Sequence, residues 1–219
     1  LSSRTAVSQG ESALLALSVF AFSEMLSVII RYFTWGSYSS WLAMIVVETL
    51  TVWWMLPFLI AYKVERRDAR SLGLVVDRER YLRYSAYAAV GLVLPVFLVQ
   101  ADASLLIEFA EQVVYIGLAE EFFYRGYLLS RFCRWLGDLR GLFLTSLTFG
   151  LGHFVSRLSE KGLGYIDVAG LVALQTFLGG LLLGYIFLRA RNIWPGAILH
   201  VSGNMYSTRI IELFSGLGI

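Results

Sequence analysis

The chain has 219 residues, 58% of them apolar and 16% charged, with 18 Lys and Arg against 16 Asp and Glu for a net charge of +2. Soluble domains carry about one quarter charged residues, so this composition excludes an ordinary soluble domain and reads as an integral membrane protein whose apolar excess faces lipid. A single cysteine, Cys133, excludes an internal disulfide, and its neighbours Arg131 and Arg134 place it at a membrane edge as a bystander.

The N-terminal stretch LSSRTAVSQGE runs into a full-length apolar segment with no small-residue cleavage site behind it, so the first segment is read as a retained span. A hydropathy window of about 19 residues gives candidate spans near 13–33, 41–62, 81–101, 104–130, 141–156, 166–188 and 193–215. That is seven spans, give or take one, in a single membrane domain over 1–219 without internal repeat or linker.

Lys63, Arg66, Arg67, Arg70, Arg78, Arg80 and Arg83 crowd the connection between the second and third spans, which predicts a cytoplasmic loop. Alternation puts Arg131, Arg134, Arg140, Arg189 and Arg191 on the same side and the N-terminus in the cytoplasm. These basic residues are interleaved with Glu65, Asp68, Asp77 and Glu79 and flank spans directly, so they are read as a topology signal and nucleic acid is not expected as a partner. The tryptophans fall mostly near span ends, as interfacial aromatics do, and are assigned no chemistry.

An ionisable group inside a span costs several kcal/mol unless paired or hydrated. Glu24 and Glu48 are solitary, Glu108 and Glu111 lie near the outer end of the fourth span, and all four are read as structural: neutral, snorkelling, or paired with a residue such as Arg31. The stretch EEFFYR differs. Glu121 and Arg125 are four apart and share a helical face as an ion pair, while Glu120 points about 100° round and stays free to exchange a proton. The fifth span carries FGLGH, with Phe149 and His153 on one face and two glycines that let a neighbour approach. The last span carries HVSGN, with His200 and Asn204 on one face. If the three spans pack side by side, these groups share one polar site.

Such a site suits hydrolysis of an amide bond. Glu120 is the candidate base for a water, His153 its hydrogen-bonding or relay partner, and His200 with Asn204 candidate donors to the oxyanion that forms on the attacked carbonyl. Ser202 lies on a different face and no GxSxG occurs, which gives a serine mechanism weak support. Two histidines and a glutamate are also a zinc ligand set; HExxH is absent, but a Zn site from His153, His200 and one glutamate stays open. A proton-coupled transporter would use similar groups, yet Pro57, Pro95 and Pro195 show no repeated pattern of interrupted helices.

EEFFYR, FGLGH and HVSGN, in that order on three spans, resemble the EExxxR, FxxxH and HxxxN/B motifs of the CPBP family, which comprises the CAAX prenyl endopeptidases and the bacteriocin-processing or self-immunity (Abi) proteins. The resemblance covers residues 104–215. It implies an all-α, polytopic membrane bundle of about seven or eight transmembrane helices around a polar intramembrane cavity open to the cytoplasm and the bilayer. The implied activity is an intramembrane endopeptidase acting on a membrane-associated substrate: a prenylated CAAX-type C-terminus, a leader peptide or a sorting segment. Glu120 then matches the water-activating glutamate, His153 its partner, Glu121 and Arg125 the support, and His200 and Asn204 the oxyanion positions. Family members are described both as metalloproteases and as metal-independent glutamate proteases, and the same fold also serves as a non-proteolytic immunity protein or scaffold.

Overall fold

The computed structural model describes residues 7–34, 49–75, 79, 82, 86 and 112–204. The third predicted span apart from residues 82 and 86, Glu48, Glu108, Glu111 and the last span beyond residue 204 lie outside the described residues. Six helices are labelled here α1 (Gln9–Thr34), α2 (49–64), α3 (112–136), α4 (Asp138–Lys161), α5 (Ile166–Ala190) and α6 (194–204), and no strand occurs among the described residues.

Helix α1 starts on a capping box. The Ser8 backbone N–H donates to Glu11 Oε2 at 2.8 Å, and the Glu11 backbone N–H donates to Ser8 Oγ at 3.2 Å, so two orphan donors of the first turn are satisfied reciprocally. Helix α2 carries Pro57 and is wound partly with i→i+5 bonds on either side of it. After α2, Asp68 caps a short 3₁₀ turn (Ala69–Leu72) by accepting from the Ser71 N–H at 2.9 Å. Gly73 closes the turn at φ 71°, and its carbonyl accepts from the Ile193 N–H at 3.2 Å, which ties this loop to the start of α6.

Helix α3 is the axis of the bundle. From Glu121 to Leu129 it is wound as a π-helix and all nine residues are buried. The regular α-helix expected there therefore gives way to wider turns, a geometry that tends to occur at functional sites. Trp54 stacks on Phe122 and Trp53 meets Phe123 edge-on, each with ring centroids 4.7 Å apart, and Tyr124 meets Phe149 at the same separation. Trp53 and Trp54 are thus packed against the core helix, where the sequence reading had them as interfacial residues. They lie in the middle of the predicted span 41–62, away from its ends, and their stacking partners on α3 give them a packing role.

A second departure concerns Arg131, which the sequence reading counted as a topology signal. Its side chain is buried, donates to the Tyr127 carbonyl at 2.6 Å, and lies 3.8 Å over the Tyr127 ring. It forms a fork with Glu65, whose Oε2 accepts from Nε at 3.0 Å and also from Nη2, while Ser12 Oγ donates to Glu65 Oε1. One buried charge pair therefore joins α1, the end of α2 and α3. Charge counting does not distinguish such a pair from solvated loop residues.

The outer surface is greasy. Leu171, Leu174, Leu178, Leu182 and Tyr185 form an exposed stripe along α5, and Leu14, Phe22, Met25 and Ile29 do so on α1. Two segments, Gln9–Ile30 and Leu163–Ala190, are long and apolar enough to cross a membrane, and only 28% and 22% of their most apolar windows are buried. Core helices of a soluble protein would be mostly covered, so the exposure of these two is compatible with a lipid environment. Charged groups inside and apolar groups outside follow the same logic. The remaining spans of the seven- or eight-helix reading rest on the sequence.

Candidate active site

The double glutamate sits where α3 meets α6. Glu121 and Arg125 are both buried, and Arg125 Nη1 lies 2.9 Å from Glu121 Oε1, as the spacing of four predicts. The same Oε1 lies 3.2 Å from His200 Nδ1. His200 Nε2 faces the other carboxylate, 3.6 Å from Glu120 Oε2. His200 therefore bridges the two glutamates. A carboxylate at this distance favours a proton on Nδ1 and so presents Nε2 towards Glu120.

Phe149 organises the other side. The Arg125 guanidinium lies 4.5 Å over its ring, a cation–π contact that keeps the charge away from lipid. His153 and His200 both approach it edge-on, with centroid distances of 4.6 and 5.7 Å. His153 Nδ1 is 3.0 Å from the Phe149 carbonyl. A carbonyl only accepts, so the neutral ring carries its hydrogen on Nδ1 and holds a lone pair on Nε2.

Glu120 and His153 line a cavity of about 60 Å³, enough for a few water molecules, together with Glu24, Ser27, Trp53 and Tyr124. Glu24 was read from the sequence as a structural residue. Here the Tyr124 hydroxyl donates to its Oε1 at 3.2 Å, and its carboxylate shares the cavity with Glu120. Tyr124 is the cavity residue that sequence reasoning passed over, while Phe149 and Glu24 were named there without these contacts. Phe149 stood inside a quoted motif, so only its partners were illegible. Glu24 gave one signal, a carboxylate within an apolar span.

Two glycines make room for the carboxylates. A Cβ at Gly196 would stand 2.6 Å from Glu121 Oε2, and one at Gly152 would stand 2.6 Å from Glu24 Oε1 and 2.7 Å from the Tyr124 hydroxyl. In FGLGH the expectation of close approach holds on two sides, since a Cβ at Gly150 would meet the Ala173 carbonyl of α5 at 2.7 Å.

The structure thus brings together Glu120, Glu121, Arg125 and His200, and sets His153 on the cavity wall with Glu120. Asn204 ends the described part of α6, exposed, one turn beyond His200, and is not part of the cavity wall. Among the described residues no three His, Cys, Asp or Glu are grouped to hold a metal ion, so no step is routed through the zinc variant.

Residues 102–206 match the family described as type II CAAX prenyl endopeptidase, Rce1-like. That stretch, a little under half of the chain, is similar to the CAAX protease family. The CAAX protease match contains all three motifs and begins after α2. Glu24 and Trp53 on the cavity wall therefore come from helices that precede it. The CAAX protease family is one of membrane-integral proteases, in keeping with the two exposed apolar helices. No curated protein and no solved structure matches the chain.

Proposed function

We propose that the chain is an intramembrane endopeptidase that hydrolyses a peptide bond of a membrane-associated substrate, with a prenylated CAAX-type C-terminus as the first candidate. The observation that carries this reading is the placement of Glu120: its carboxylate lines a water-sized cavity with His153 and lies 3.6 Å from His200 Nε2, while Glu121 and Arg125 hold the far side of that ring.

Glu120 takes a proton from a water in the cavity as its oxygen attacks the scissile carbonyl. His153, with a lone pair on Nε2, accepts a hydrogen bond from the same water and orients it. The carbonyl oxygen becomes an oxyanion, and His200, acting as an imidazolium whose Nδ1–H is held by Glu121, donates to it through Nε2–H, with Asn204 on the same helix as second donor; loss of one such donor typically costs about 2.7–4 kcal/mol of barrier. The C–N bond then breaks and Glu120 returns its proton to the leaving amine. The Glu121–Arg125 pair fixes the orientation of His200 without touching the reacting atoms.

The bilayer is the working environment. On this reading the cavity opens to the cytoplasm and to lipid, the N-terminus is cytoplasmic, and the substrate enters from the membrane.

The test is cleavage of a farnesylated CAAX peptide, and of leader peptides, by the intact chain purified in detergent. Cleavage that disappears in Glu120→Ala and persists under a chelator is expected. Full activity of Glu120→Ala refutes the glutamate mechanism, and loss under chelation turns the reading to zinc.

A further inference from the structure

A second pocket, which shares no residue with the cavity of Glu120, opens where the 3₁₀ turn after α2, the end of α3, the start of α4 and the end of α5 meet. Its volume is about 310 Å³, and Arg70, Arg134 and Arg191 line it against a single carboxylate, Asp138. Three guanidinium groups around one opening repel each other unless an anion stands among them.

Two observations indicate that this concentration of charge is built in. Arg134 Nη2 is buried and has no hydrogen-bond partner among the described residues, so a strong donor is left unsatisfied there. Arg134 also lies in the field of Arg67 and Arg131, and burial followed by those two charges lowers its pKa to about 10. Arg191 ends α5 in the left-handed conformation at φ 54°, a position where glycine carries no steric penalty. The chain accepts that strain with a side chain that reaches the pocket.

All four elements end here, at the margin of predicted spans. Lipid phosphates lie at this level of a bilayer, and basic pockets between helix ends at the surface bind anionic headgroups.

We infer that the pocket of Arg70, Arg134 and Arg191 is a binding site for a phosphate group, carried by an anionic lipid headgroup or by a free phosphate compound. The guanidinium forks supply paired donors to phosphate oxygens, and Arg134 Nη2 gains the acceptor it lacks.

Calorimetric titration of the intact chain in neutral detergent tests this, with short-chain phosphatidylglycerol, short-chain phosphatidylcholine and inorganic phosphate as probes. Saturable binding of phosphatidylglycerol but not of inorganic phosphate assigns the site to lipid; binding of both assigns it to phosphate in general. Arg134→Gln and Arg191→Gln should each weaken binding about fivefold. Arg157→Gln, whose guanidinium is exposed and paired with Glu160, should leave it unchanged. Arg191 is exposed, so its variant keeps the test informative if Arg134→Gln does not fold. No binding of either anion, equal binding of phosphatidylcholine, or full affinity in Arg191→Gln overturns the inference.

Discussion

His200 Nδ1 stands 3.2 Å from the carboxylate oxygen of Glu121 that also stands 2.9 Å from Arg125 Nη1. One oxygen on α3 is therefore shared between the arginine and the histidine. The second histidine nitrogen is left for Glu120, and the two glutamates of one dipeptide stand in different surroundings, one fully buried and the other facing the cavity.

Removing one partner of this buried pair should be costly. Arg125→Met leaves the Glu121 charge buried with only His200 to answer it, and the expected loss is about 3–5 kcal/mol of stability. The double variant Glu121→Gln with Arg125→Met leaves no stranded charge and should lose less. Unfolding of detergent-solubilised protein by graded SDS measures both. A single variant as stable as the parent would place the pair in contact with water.

Glu24 and Glu120 share a cavity but not a role. Glu120→Gln removes the proposed base and should lower kcat by about 10²–10⁴. Glu24→Gln keeps the shape and the hydrogen bond from Tyr124 while removing a charge from the water cavity, so a fall of about tenfold in kcat with little change in KM is expected, well short of that base effect. Peptide cleavage rates for the two variants and for Tyr124→Phe separate the cases: unchanged turnover in Glu24→Gln would confine Glu24 to anchoring Tyr124.

Helical spacing made part of this site legible. It put Glu121 with Arg125 and Phe149 with His153, because a side chain's face on its own helix follows from periodicity alone. It did not reveal which helix lies opposite. The Tyr124–Glu24 bond joins residues 100 apart, the Glu65–Arg131 pair residues 66 apart, and neither has a local pattern. His200 was assigned to the oxyanion without its contacts to both glutamates for the same reason: those are packing facts of α3 against α6. The π-helical winding of α3 was equally invisible, since the residues that adopt it have ordinary helical composition.

Cys133 offers a pH-dependent readout at the end of α3. Burial, and next the neighbouring Asp138, push its thiol up to about 12 from 9.0. The thiolate is the reactive form, so maleimide labelling of the folded chain at pH 8 should be much slower than that of the denatured chain. The linkage has a definite sign. Between about 9 and 12 the unfolded chain has lost the proton and the folded chain has kept it, so this group's contribution to stability declines as pH rises through that window. Labelling at equal rates in both states would show an open, unperturbed thiol.

Gly196→Ala tests whether the carboxylate on α3 requires its present place. The added methyl would lie 2.6 Å from Glu121 Oε2 and 3.2 Å from its carboxyl carbon, closer than packed atoms stand. Glu121 is held by Arg125 on one side and His200 on the other, so it can yield only by breaking one contact or by pushing α6 away from α3. Loss of the His200 contact or displacement of α6 frees His200 to move off Glu120. The expected outcome is a protein that folds with most of its helical content, loses about 1–3 kcal/mol to overpacking, and cleaves peptide at least tenfold more slowly because a small displacement of an aligned group costs far more in rate than in stability. Circular dichroism, SDS unfolding and turnover on one preparation check the three parts. Normal turnover in Gly196→Ala would mean that His200 does not depend on Glu121 for its alignment.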